Sequence, residues 1–118
     1  MNVLTTIAIT IVIILHLLFL VLEMFLWNTP YGKKTFGLKD DYARRSASLA
    51  ANQGLYNGFL AAGLLWGLVS TGGFDALVFF LSCIIIAGIY GAITVKRSIL
   101  WLQALPAAVA MTLLILNT

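Results

Sequence analysis

Residues 3–27 form a nearly continuous apolar run in which His16 and Glu23 are the only ionisable side chains. About 25 residues at 1.5 Å each are more than enough for a hydrocarbon core of roughly 30 Å. A signal peptide would need a basic leading segment, a shorter apolar stretch and a small-residue cleavage site, and the run has none of these. It reads as the first membrane-spanning helix, a structure that satisfies its backbone polar groups internally.

Asn28-Thr29-Pro30-Tyr31-Gly32 ends the run with turn residues, and a polar loop carrying Lys33, Lys34 and Lys39 follows. Asp40 or Asp41 can cap a second helix, with Asp40–Arg44 and Asp41–Arg45 as i,i+4 pairs. This helix begins in water, enters the bilayer near Leu49 and runs to about Val69. After the turn Ser70-Thr71-Gly72-Gly73, two more apolar stretches are separated by Lys96-Arg97-Ser98. Pro106, inside the last, is expected to kink its helix and free a carbonyl near Leu102. The expected fold is a single all-α domain, 1–118: an integral membrane bundle of four transmembrane helices over about 3–27, 49–69, 74–95 and 99–116. A chain that is 62% hydrophobic and 9% charged fits this class and leaves no room for a soluble domain. Its single cysteine, Cys83, excludes an internal disulfide.

Charge sets the orientation. All seven Lys and Arg residues lie between 33 and 45 or at 96–97, in two loops that share a side of a four-span bundle. The positive-inside rule makes that side cytoplasmic and leaves both termini and the 70–73 turn outside. The same placement explains the net charge of +3 without a basic face, so nucleic acid is not an expected partner; the lipid bilayer is. Trp27, Trp66 and Trp101 fall near helix ends, where aromatic anchors collect.

Polar side chains are concentrated in one half of this arrangement. Asn52, Gln53, Tyr56 and Asn57 crowd six positions at the start of the second span, covering an arc of roughly 140° at about 100° per residue. They are expected to turn inward and meet Glu23, with Tyr90 and Gln103 at the same depth and His16 further along the first helix. These eight residues are the candidate ligand-binding set. An intramembrane acid is a functional candidate by default; the alternative is that Glu23 locks helix one onto helix two. Desolvation and nearby amides would bias its protonation in opposite senses. The expected contact is with Asn52, Gln53 or Tyr56. His16 equally suits a bond to a backbone carbonyl or water, and the amides equally suit interhelical hydrogen bonding. One His and one Cys without ligand spacing do not suggest a metal site. Ala50, Gly54, Gly58 and Ala62 form a small-residue ladder that permits close helix approach, within the bundle or in a homo-oligomer.

Several segments carry a resemblance: Glu23-Met24-Phe25-Leu26-Trp27, Asn52-Gln53-Gly54-Leu55-Tyr56-Asn57-Gly58, Ala87-Gly88-Ile89-Tyr90-Gly91-Ala92 and Gln103-Ala104-Leu105-Pro106-Ala107. Together they resemble a bacterial family of small four-span membrane proteins catalogued as domain of unknown function 1304. The resemblance covers almost the whole chain and implies a multi-pass protein of the bacterial inner (plasma) membrane. It implies no activity, substrate or cofactor. Small multidrug-resistance transporters share four spans and a glutamate in the first, but carry little charge bias. Membrane-bound glutathione transferases share a polar, Asn-containing start to helix two, but add a glutamate in that motif which this chain lacks. Both are likenesses of shape.

Three functions follow as expectations. The first is a cytoplasm-facing polar pocket that binds or transports a small polar or amphipathic molecule, Glu23 taking a cation or proton. The second is an intramembrane isomerase or transferase acting on a lipidic substrate, with Glu23 as acid/base and Tyr56 or Tyr90 as donor. The third is an assembly protein whose polar groups only hold helices together.

Overall fold

The computed structural model describes residues 1–117; Thr118, the far end of the expected domain, lies outside them. The fold is all-α: α1 (Val3–Val21), a π-helical turn (Leu22–Leu26), α2 (Pro30–Phe36), α3 (Asp40–Val69), α4 (Phe74–Thr94), a second π-helical turn (Leu100–Ala104) and α5 (Leu105–Leu116). Two stretches, Val3–Leu26 and Phe74–Thr94, are long and apolar enough to cross a membrane; Leu100–Leu116 is a shorter apolar helix. The chain divides into two compact units. One is Met1–Leu15 with Leu60 onward, and the other is His16–Phe59.

In the first unit, four helices share one core. α1 contributes Ile9, Val12 and Ile13, α3 contributes Ala61 and Leu64, α4 contributes Leu77, Leu81 and Ile84, and α5 contributes Ala107, Ala110 and Leu114. The alanines are small enough to let neighbouring helix backbones approach closely within this core. One close approach pairs α4 with the second π-turn: a Cβ on Gly88 would lie 2.7 Å from both Cβ and N of Ala104. α1 is capped by Asn2, whose Oδ1 accepts from the Thr5 N–H at 2.8 Å. Thr5 is fully buried, and its hydroxyl donates to the Leu113 carbonyl at 3.4 Å. Gly72 supplies the left-handed residue of the 70–73 turn, at φ 73°.

Pro106 follows directly on a π-helical turn. The turn just before it widens, and the Leu105 N–H bonds the Leu100 carbonyl five residues back. Proline removes one donor from the ordinary ladder, and the widened turn lies immediately before that break.

In the second unit, the expected polar loop contains a short helix. Thr29 Oγ1 accepts from the Gly32 N–H at 3.2 Å, Pro30 opens α2, and Gly37 closes it at φ 66°. Cap, N1 proline and C-terminal glycine are all present in the sequence and account for the helix. The Trp27 indole N–H donates to Ser46 Oγ at 3.0 Å, and its ring meets Phe36 with centroids 5.0 Å apart. Of the two expected ion pairs, Asp41–Arg45 forms and Asp40–Arg44 does not. Asp41 takes both Arg44 (2.6 Å) and Arg45 (3.0 Å), while Asp40 pairs with Lys33 at 3.0 Å instead of Arg44. These pairs are largely exposed, where each adds at most about 1 kcal/mol.

Candidate functional site

Glu23 sits in the π-helical turn that follows α1, half-buried. A π-turn carries one extra residue per turn, which redirects side chains locally, and such turns recur at functional positions. Facing it, α3 presents Gly54 and, one turn on, Asn57. A Cβ on Gly54 would stand 3.1 Å from Glu23 Cβ and 3.1 Å from the Leu20 carbonyl oxygen. The absent side chain is therefore what lets the two backbones come this near. At that separation the Asn57 carboxamide, 4% exposed, donates to Glu23 Oε1 at 2.5 Å. Removing a carboxamide donor from such a buried bond would leave the acid without this partner, at a cost of about 1–3 kcal/mol.

The arc expected to face inward is split. Asn57 lies on the same side of α3 as the buried Ala43, Ala50 and Gly54. Asn52, Gln53 and Tyr56 are exposed on the other side, Tyr56 at 53%, with its ring against Phe59 (centroids 5.9 Å). Glu23 therefore meets Asn57 and not the expected Asn52, Gln53 or Tyr56. The ladder decides the orientation: the small residues pack, and only the amide nearest their line goes with them.

The other candidates fall in different settings. His16 is fully buried in α1, edge-on to Phe19 with centroids 5.2 Å apart. Tyr90 is 69% exposed on α4, whose packed face is Leu77, Leu81, Ile84 and Gly88. Gln103 is half-buried in the second π-turn, beside the Ala104 that packs on Gly88. Of the eight, the structure joins Glu23 and Asn57 directly and sets Asn52, Gln53 and Tyr56 together on one open face. Sequence reasoning treated Gly54 only as packing; the spacing Gly54-x-x-Asn57 was the available signal that a donor and a gap share one helix face. A separate recess of about 260 Å³ in the first unit is lined by Ser70, Gly73, Asn117 and apolar neighbours.

Comparison with known families settles the kinship. The family model described as protein of unknown function (DUF1304) matches residues 10–115. The chain belongs to the DUF1304 family. The match spans both π-turns and every residue of the Glu23–Asn57 contact. No curated protein and no solved structure matches this DUF1304 member.

Proposed function

We propose that this DUF1304 protein is a four-span protein of the bacterial inner membrane, both termini outside, that binds or transports a small amphipathic molecule at Glu23. The observation that carries the reading is the Glu23–Asn57 pair: an acid within an apolar helix, set on a widened turn and held by one amide donor. Support for the membrane setting comes from the surface. α1 exposes Ile7, Ile11, Ile14, Leu17, Leu18 and Val21, each at 42–52%. A helix this apolar over its outer face suits lipid. α3 from about Leu49 and the stretch Leu100–Leu116 supply the other two spans, and the placement of all seven basic residues supplies the orientation. A carboxyl group at this depth selects for a positive centre, and its apolar surroundings select for a hydrophobic body. An organic cation combines the two.

The test is binding of tetraphenylphosphonium to the detergent-solubilised protein by calorimetry. Wild type is expected to bind, and Glu23→Gln, which keeps shape and the Asn57 contact, to lose at least about ten-fold in affinity, or 1.4 kcal/mol. Equal binding by both proteins would overturn the role of Glu23. The directness of the Glu23–Asn57 bond favours one other reading, a purely structural clasp between helices. Under that reading no binding occurs and Glu23→Leu loses stability alone.

A further inference from the structure

We propose that the exposed face of α3 carrying Asn52, Gln53 and Tyr56 is the contact surface for a second copy of this chain. The inference rests on the membrane-spanning reading of α3. Leu49, Asn52, Tyr56 and Phe59 follow one another at intervals of three, four and three residues, and fall within roughly 80° of arc at about 100° per residue. All four are exposed: Leu49 at 75%, Tyr56 at 53%, Phe59 at 54%, and Asn52 also in the exposed class. That alternation is the seam spacing of two helices packed side by side. Gln53 lies at its flank, and both carboxamides project from the same open side.

Lipid tails offer these amides nothing. Among the described residues, no hydrogen bond joins the side chains of Asn52, Gln53 or Tyr56 to the rest of the chain. A carboxamide is donor and acceptor at once, so this face is complementary to itself. Two copies inserted in the same orientation are related by a two-fold axis along the bilayer normal, which sets Asn52 against Asn52 of the second copy. A polar residue within a largely apolar seam fixes register between two helices. Interhelical amide bonds in membranes are modest, and the flanking Leu49, Tyr56 and Phe59 supply packing beside them.

The small-residue ladder is not free to do this work. Gly54 and Gly58 already face Leu20, Glu23 and Met24 of the same chain. That moves the expected oligomer contact from the glycines to the opposite side of the helix.

The test uses the full chain with Cys83→Ser, carrying one new cysteine at a time and oxidised in native membranes with copper phenanthroline. Asn52→Cys is expected to give a disulfide-linked dimer, and Phe25→Cys, 67% exposed on another helix, is not. In parallel, the detergent complex of wild type is expected to have the mass of two chains. Asn52→Ala with Gln53→Ala should shift it to one, while Tyr90→Ala leaves it at two. Cross-linking at Phe25 but not Asn52, or a wild type of one-chain mass in both membrane and detergent, overturns the interface. Retention of wild type in the membrane pellet after carbonate washing separates the two ideas. A retained monomer refutes this face alone, whereas an extracted protein refutes the spanning of α3 as well. A dimer that survives the double alanine variant assigns the contact to another surface and also overturns the proposal.

Discussion

Gly54→Ala and Gly58→Ala add the same methyl group to one helix, four residues apart, and the structure predicts opposite outcomes. At Gly54 the new Cβ stands 2.7 Å from Met24 Cγ and 3.1 Å from both Glu23 Cβ and the Leu20 carbonyl oxygen. Two of those neighbours are backbone or backbone-adjacent, so relief requires α1 and α3 to separate. Overpacking of this kind costs about 1–3 kcal/mol. Against it stands the helix-propensity gain of about 1 kcal/mol for replacing glycine by alanine. The net expectation is a loss of up to about 2 kcal/mol, with the Glu23–Asn57 bond stretched. At Gly58 the Cβ meets Leu20 Cδ1 at 2.6 Å and nothing else close. A methyl at the end of a flexible side chain can rotate away, so the propensity gain survives and stability stays level or rises by up to about 1 kcal/mol. Reversible unfolding of the solubilised protein in mixed micelles, followed by tryptophan fluorescence, measures both. Gly54→Ala more stable than wild type, or Gly58→Ala the worse of the two, would refute the close approach at Glu23.

Asn57→Leu should cost about 1–3 kcal/mol in the same assay, because it leaves the Glu23 carboxyl without its amide donor, while Glu23→Gln stays within about 1 kcal/mol of wild type. Ser46→Ala removes the acceptor of the Trp27 indole N–H, for a loss of about 1 kcal/mol and a shift in Trp27 emission measured with Trp66 and Trp101 replaced by Phe. In the 70–73 turn, Gly73→Ala should be worse than Gly72→Ala. The first drives a Cβ into the Gly67 carbonyl, while the second meets nothing within 4 Å and pays only the left-handed backbone penalty of roughly 1 kcal/mol. Thermal denaturation of the two variants orders them.

Helix limits were largely readable where chain chemistry marks them. The acidic start of α3 at Asp40, its end at Val69 before Ser-Thr-Gly-Gly, and the start of α4 at Phe74 all coincide with caps, charges or glycines. Two features were not readable. A π-turn differs from an α-turn by one hydrogen-bond step, and no residue in Leu22–Leu26 announces that step; Pro106 alone hinted at the second. Facing was the other. Periodicity separates a helix's inner and outer sides only when solvent and core differ in polarity. α1 buries Ile9, Val12 and Ile13 and exposes Ile7, Ile11 and Ile14, so its apolar pattern points nowhere. The amides of α3 looked like the inner face because they were the polar exception. The alanines and glycines, which reveal where backbones touch, were the better guide and carry Asn57 inward while leaving Asn52, Gln53 and Tyr56 outside.

The proposed binding role requires Glu23 to be a carboxyl in apolar surroundings that a ligand reaches. The most direct measurement is labelling of membrane-embedded protein with dicyclohexylcarbodiimide, an apolar carboxyl reagent, read by peptide mass spectrometry over the four acidic residues Glu23, Asp40, Asp41 and Asp75. Glu23 is expected to take the label ahead of the three aspartates, and saturating tetraphenylphosphonium to slow this several-fold. Labelling of Glu23 at a rate unchanged by the cation, or labelling confined to the aspartates, would contradict that role.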